Sequence, residues 1–235
     1  MPTKIEYTFN DIFINNKLNP PLYTKKLKIY DGFKQGKKLG SGAYGTVYEI
    51  TDNSGTKKKY ACKEVTPKYN KSKYLKKHLT NCQQEAYYSY VMSEFKIGPM
   101  IDTEITSFYY DTTTHIFYII MELMDSTLTE YFSKRYQTLT PGNKLLESIS
   151  KSIKECVHVM FSNSLICYDF KSGNMLVKII KDKQSSTDKV IVRLSDFGNR
   201  FCCENSDQRL YGDLSNLCMF NSYNSSRLFE FIEII

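Results

Sequence analysis

Tryptophan is missing from this 235-residue chain, and its three histidines, His78, His115 and His158, stand too far apart to form a ligand cluster. The seven cysteines (Cys62, Cys82, Cys156, Cys167, Cys202, Cys203 and Cys218) are odd in number and scattered. No Cys-x-x-Cys pair occurs, and the vicinal Cys202-Cys203 cannot form a metal knuckle alone, so neither a disulfide framework nor a zinc site is expected. No uninterrupted apolar run approaches the roughly 18 residues of a membrane span. The opening Met-Pro-Thr-Lys-Ile-Glu-Tyr has no apolar stretch of the signal-peptide kind, so an intracellular setting, the cytoplasm or the nucleus, without membrane contact is the expectation.

What is present reads as globular. Hydrophobic residues make up 41% and charged residues 24%, which leaves no room for wholesale disorder. Tyr (19) and Phe (14) without Trp, and Lys far above Arg, speak of compositional bias more than of function. The net charge of +7 is uneven: residues 1–80 hold 17 Lys against 6 acidic residues, and the rest of the chain is net acidic. Lysines interleaved with Tyr60, Tyr69 and Tyr74 suit a solvated face. No ribonucleoprotein or zinc-finger pattern accompanies them, so nucleic acid is a conceivable partner that no motif indicates.

Residues 1–31, with Asn19-Pro20-Pro21, read as an extension or linker. Strand-like runs follow at Lys37–Leu39, Thr46–Ile50 and Tyr60–Lys63, the last two joined by the turn Asp52-Asn53-Ser54-Gly55. A helix is expected over 72–96, closed by Gly98-Pro99. Strands are expected around 104–110 and 116–123, and a long helix over 143–163 with Leu145, Ile149, Ile153, Val157 and Phe161 inward. Two further strands, 176–180 and 190–194, flank a polar loop, 181–189. There are no internal repeats. This order predicts an α+β protein of two unequal lobes.

Four clusters carry chemistry. Gly40-Ser41-Gly42-Ala43-Tyr44-Gly45 could open a dinucleotide-binding helix or be an ordinary glycine hairpin. The β-branched run Thr46-Val47-Tyr48 that follows favours a strand-turn-strand flap whose amides lie over phosphates. Lys63, on an apolar strand, is costly unless its ammonium meets a fixed anion, or unless the strand is an edge. Glu85 is the favoured partner, with Glu94 the competitor near the helix end. Lastly, Asp169 and Asn174 lie five apart and are followed by Ser195-Asp196-Phe197-Gly198. One carboxylate to receive a hydroxyl proton, an amide and a second carboxylate for Mg²⁺, and a lysine facing the moving phosphoryl group are what phosphoryl transfer requires.

In this order the four clusters resemble the protein-kinase superfamily, from about residue 33 to 198 and less closely to 220. The resemblance implies a bilobal kinase-like fold: an extension (1–31), a β-rich N-lobe with one main helix (32–124) and a shortened, mainly helical C-lobe (125–235). It implies ATP and Mg²⁺ as cofactors. Gly40, Ser41, Gly42 and Gly45 would form the nucleotide flap, Val47 and Ala61 would enclose adenine, and Lys63, held by Glu85, would bind the α- and β-phosphates. Met121 takes the gatekeeper place, with Glu122, Leu123 and Met124 as the hinge. Asp169 would be the catalytic base, Lys171 the phosphate-facing lysine, and Asn174 and Asp196 the magnesium ligands. Lysine two residues after Asp169 resembles serine/threonine kinases more than tyrosine kinases, which implies a protein substrate with Ser/Thr hydroxyls.

The chain departs from that family in three places, one of them the loop between Asn174 and Asp196, which is longer than usual and carries the polar insert 181–189 far from the chemistry. Cys167-Tyr168 replaces the usual His-Arg, so control by a phosphorylated activation loop is not expected. After Gly198 only 37 residues follow, without Ala-Pro-Glu. Asp213 is matched to the aspartate that steadies the catalytic loop or is a helix N-cap, 199–210 would be a short activation segment, and the apolar tail 221–235 could meet a partner protein. The compact ending resembles minimal atypical kinases and small kinases of large DNA viruses. The alternative is a catalytically weak scaffold or inhibitor that binds nucleotide and a partner kinase or complex. A small-molecule or RNA-linked phosphotransferase is a third reading.

Overall fold

The computed structural model describes residues 32–42, 45–102, 105, 107–111, 113–135, 144–163, 165–167, 169–181, 188–198 and 201–203. The expectations for 1–31, for Asp213 and for the tail 221–235 lie outside the described residues. Two compact units are present. The first comprises the described residues up to Ser93 with Met100–Leu123, and the second Glu94–Pro99 with the described residues from Met124 onward. Among the described residues no helix is long and apolar enough to cross a membrane.

The first unit is an antiparallel sheet of five strands, β1 (Phe33–Gly42), β2 (Gly45–Asp52), β3 (Lys59–Val65), β4 (Phe108–Tyr110) and β5 (Phe117–Glu122), in the order β1-β2-β3-β5-β4. Helix α1 (Ser72–Glu94) belongs to the same unit. The turn after β2 forms because the Asp52 carboxylate accepts from Ser54 N–H at 2.8 Å and Thr56 Oγ1 at 2.9 Å. Side chains on a strand alternate between faces, and both cores of the unit follow that rule. Val65, Phe117 and Ile119 pack with Cys82 and Ala86 of α1 on one face. Tyr60, Cys62, Tyr118 and Ile120 pack with Phe33 and Ile50 on the other.

The second unit contains β6 (Ser126–Thr127), α2 (Leu128–Arg135), α3 (Lys144–Ser162), β7 (Leu165–Cys167), β8 (Met175–Ile180), β9 (Lys189–Leu194) and β10 (Phe201–Cys203). Strands pair as β6-β8-β9 and as β10-β7. A capping box opens α2: Glu130 N–H donates to Thr127 Oγ1 at 3.1 Å and Thr127 N–H to Glu130 Oε2 at 3.3 Å. Thr127-Leu128-Thr129-Glu130 carries the Thr-x-x-Glu signal of such a cap.

Helix α3 corrects the expected apolar stripe. Ile149 and Ile153 are buried as expected and Leu146, Cys156 and Met160 are buried with them, while Leu145 and Val157 are half-buried; the side chain of Phe161 lies outside what is described. At 3.6 residues per turn a strict four-residue spacing drifts around the helix, whereas steps of three and four stay on one side.

The same helix covers the outer edge of β9. Ser148 Oγ donates to Val190 O at 2.9 Å and accepts from Val190 N–H at 3.2 Å; Ser152 Oγ donates to Val192 O at 3.3 Å and accepts from Val192 N–H at 2.8 Å. Four helical residues rise about 6 Å and two strand residues about 6.6 Å, so serines four apart meet strand residues two apart. The pairing satisfies an edge that would otherwise be open to another strand.

Candidate active site

In the first unit the sheet register gathers the expected nucleotide residues. Val47 lies opposite Lys63, Lys63 opposite Ile119, and Ala61 opposite both Glu49 and Met121. Directly opposed residues share a face, so Val47, Ala61, Lys63 and Met121 lie on the face that packs against α1. Strand β3 is interior, between β2 and β5, which removes the edge-strand explanation for Lys63. On α1, Cys82, Glu85, Ala86 and Ser89 recur at one-turn spacing and are buried, which points Glu85 at the sheet. Its Oε1 accepts from Lys63 Nζ, with the two side chains 13% and 8% exposed for Lys63 and Glu85. The competitor Glu94 is exposed.

The flap glycines differ in kind. Gly40 pairs with Val47 and Gly42 with Gly45 across the β1–β2 hairpin, and Ser41 is exposed between them. A Cβ on Gly45 would lie 2.1 Å from the Glu64 carbonyl oxygen, so the close approach of β3 demands glycine there. A Cβ on Gly40 or Gly42 would meet nothing within 4 Å. Neither is needed by the chain's own packing.

Of the expected hinge residues, Glu122 is tied to an unforeseen partner. Its N–H donates to Met100 O at 2.8 Å, and its Oε2 accepts from Met100 N–H at 3.3 Å. Met124 is half-buried in the second unit, where Asp125 N–H donates to Val177 O at 2.8 Å and Asp125 Oδ2 accepts from Ile179 N–H at 2.7 Å. Asp125 was missed because nothing local marks a carboxylate that caps a strand more than fifty residues later.

In the second unit Asp169, Lys171 and Asn174 converge. Lys171 Nζ lies 2.8 Å from Asp169 Oδ2, and Asn174 Nδ2 donates to Asp169 Oδ2 at 3.1 Å and to Asp169 O at 3.0 Å. A single 3₁₀ turn, Ser172–Asn174, makes this reach possible, closed by Asn174 N–H to Lys171 O at 2.9 Å. Asp169 is 22% and Lys171 50% exposed, so the carboxylate is oriented by two donors while staying open to solvent. Burial pushes the neighbouring Cys167 thiol up to about 11, leaving it neutral beside the loop.

Asp196 is brought to the same end of the β8–β9 hairpin. Met175 pairs with Leu194, and just beyond the ladder Ser195 N–H and Oγ both donate to Asn174 O, at 2.8 and 2.9 Å. Phe197 is buried, and Asp196 itself takes φ +65°, a left-handed conformation that aspartate tolerates better than most residues. The donor set suits Mg²⁺. Asn174 commits its amide nitrogen to Asp169, which leaves the amide oxygen for a cation, and Asp196 adds a carboxylate. Two hard oxygen donors fit an ion that retains much of its water.

The model of the protein kinase domain matches residues 33–228. The chain belongs to the protein kinase domain family. A Dictyostelium discoideum protein named as a serine/threonine-protein kinase is 28% identical over 224 residues, 92% of this chain and 24% of that protein. A protein of Acanthamoeba polyphaga mimivirus, also named as a serine/threonine-protein kinase, is 28% identical over 85% of this chain and 31% of its own length. Extracellular signal-regulated kinase 7 of Drosophila melanogaster is 25% identical over 86% of this chain and 20% of its own length. This kinase domain thus spans about a quarter of the length of the curated relatives it matches. Its β-rich first unit with one main helix agrees with the shortened bilobal α+β fold expected from the sequence.

Proposed function

We propose that this chain is an ATP- and Mg²⁺-dependent protein kinase that transfers the γ-phosphate to Ser/Thr hydroxyls, without control by activation-loop phosphorylation. The observation that carries the reading is the Asp169–Lys171–Asn174 cluster, in which a partly exposed carboxylate is fixed by an ammonium and an amide. Asp169 would accept the proton of the attacking hydroxyl, and Lys171 would balance negative charge on the phosphoryl group. Lys63, held by Glu85, would neutralise the α- and β-phosphates. Gly40, Ser41, Gly42 and Gly45 would cover the phosphates, Val47, Ala61 and Met121 would line the adenine place, and Glu122 to Met124 would offer backbone hydrogen bonds to adenine. Asn174 and Asp196 would hold Mg²⁺, which supplies charge neutralisation on the phosphates when bound.

The names of the relatives support the Ser/Thr assignment, as does Lys171. The substrate is then a protein, with the C-terminal tail as a second place for a partner and the cell interior as the setting. The decisive experiment is Mg-ATP-dependent phosphate transfer to generic basic and acidic proteins by the intact chain and by Asp196→Ala, followed by phosphoamino-acid analysis. Transfer to serine or threonine that Asp196→Ala abolishes supports the reading. Nucleotide binding without any transfer would instead favour a kinase-like scaffold or inhibitor.

A further inference from the structure

The stretch from Val65 to Gln84 contains no aspartate or glutamate, yet it carries Lys68, Lys71, Lys73, Lys76 and Lys77. All five are exposed. Three other lysines of this unit are partnered: Lys58 with Asp102, Lys59 with Glu49 and Lys63 with Glu85. Among the described residues none of the five forms an ion pair. Lys73, Lys76 and Lys77 recur at i, i+3 and i+4 on α1, where like charges are neighbours and repel. The isolated helix gains nothing from that arrangement, and a polyanion turns the repulsion into attraction.

Aromatic faces lie among these charges. Tyr69 and Tyr74, at 54% and 47%, are the two most exposed large hydrophobic side chains among the described residues. Their ring centroids are 5.2 Å apart with planes tilted by 46°, and Lys68 Nζ stands 5.7 Å from the Tyr69 ring. An acidic peptide would use the ammonium groups and leave these rings in water. A nucleic acid strand with unpaired bases uses both, phosphates on lysines and bases on tyrosines.

We propose that the surface from Lys68 to Lys77 binds single-stranded nucleic acid. The surface is separate from the Lys63–Glu85 pair, because Cys82, Glu85, Ala86 and Ser89 are buried further along α1, so binding there does not require ATP.

The test is fluorescence anisotropy of the full chain with an unstructured, labelled RNA oligonucleotide across a KCl series. Three to five neutralised phosphates give a log K against log[salt] slope of about −2 to −3.5. The quadruple variant Lys71→Gln/Lys73→Gln/Lys76→Gln/Lys77→Gln brings the slope to about −1 or shallower. Tyr69→Ala/Tyr74→Ala lowers affinity at fixed salt by about tenfold or more and leaves the slope unchanged. Thermal unfolding of the quadruple variant should match or exceed that of the parent, since repulsion has been removed. Should it unfold, the tyrosine variant and the parent's salt slope decide the matter alone. No binding at low salt overturns the proposal. So does binding that polyglutamate competes away as well as RNA does while the tyrosine variant behaves like the parent, an outcome that assigns the surface to acidic proteins.

Discussion

Lys63 and Glu85 form an ion pair that is almost entirely removed from solvent, although twenty-two residues separate them. The pair exists because β3 is interior to its sheet and presents Lys63 on the same face as Val65, while α1 turns Glu85 toward that face. Removing one partner takes from the other the counter-charge it meets in the protein interior, and breaking a buried pair in this way typically costs about 3–5 kcal/mol. Lys63→Met and Glu85→Gln should each lower the urea midpoint, and the double variant should lose less than the two losses added. Phosphate transfer falls in both single variants. Glu94→Gln, at an exposed site on the same helix, changes neither; a Glu94 effect equal to that of Glu85 would mean the wrong acid has been assigned.

The flap glycines should separate on substitution. Gly45→Ala forces a Cβ onto the Glu64 carbonyl, and overpacking of that kind costs about 1–3 kcal/mol. Gly40→Ala and Gly42→Ala meet open space and should leave stability within about 0.5 kcal/mol. If the flap covers nucleotide as proposed, their effect should appear as a raised KM for ATP, because a methyl group would then stand between the backbone and the phosphates. Equal loss of stability in all three variants would contradict the distinction.

Asp169 and Asn174 share a hydrogen bond but should fail differently. Asp169→Asn should keep the fold and, if Asp169 is the proton acceptor proposed above, lower kcat by about 10²–10⁴. Asn174→Ala removes both the bond to Asp169 and an oxygen donor. Its lost activity should return in part as Mg²⁺ is raised, whereas Asp169→Asn should not respond. Steady-state kinetics over a Mg²⁺ series reads the difference.

His78 ties α1 to the turn before β5 through its Nε2 and the His115 carbonyl, 3.0 Å apart. Burial is the main cause that holds its imidazole below the ordinary value. The unfolded chain therefore takes up this proton more readily than the native one. The resulting stability is fully present above the unfolded value of about 6.5 and is lost as pH falls toward the lower native value. Urea unfolding at neutral pH and below pH 6 should show the parent losing more stability than His78→Gln, whose amide can still donate to His115 O but does not titrate. Equal losses in the two proteins would remove His78 as the cause.

Much of the candidate site was legible in the sequence because its parts are local. Gly40 to Gly45, Asp169 to Asn174 and Ser195 to Gly198 are short stretches whose roles depend on neighbours within a few residues. The alternation that puts Lys63 and Val65 on one face, and the helical spacing of Cys82, Glu85, Ala86 and Ser89, follow from periods of 2 and 3.6 that any chain obeys. Expected and observed elements therefore agree to within a few residues for α1, α3, β5, β8 and β9.

Other features depended on contacts between residues far apart in the chain, which no local period encodes. Whether Glu85 or Glu94 answers Lys63 was settled by which of them the packing of α1 against the sheet buries. The hydroxyls of Ser148 and Ser152 pair with the edge of β9, a contact between residues about forty apart that the spacing along α3 does not announce. The ties from Glu122 to Met100 and from Asp125 to Ile179 likewise join positions that only folding brings within reach. By itself the sequence determined which chemical groups the molecule carries and, for β3 and α1, which face of the element they occupy. Tertiary structure decided which groups become partners, because a buried charge or an open strand edge is satisfied by whatever the packing places beside it.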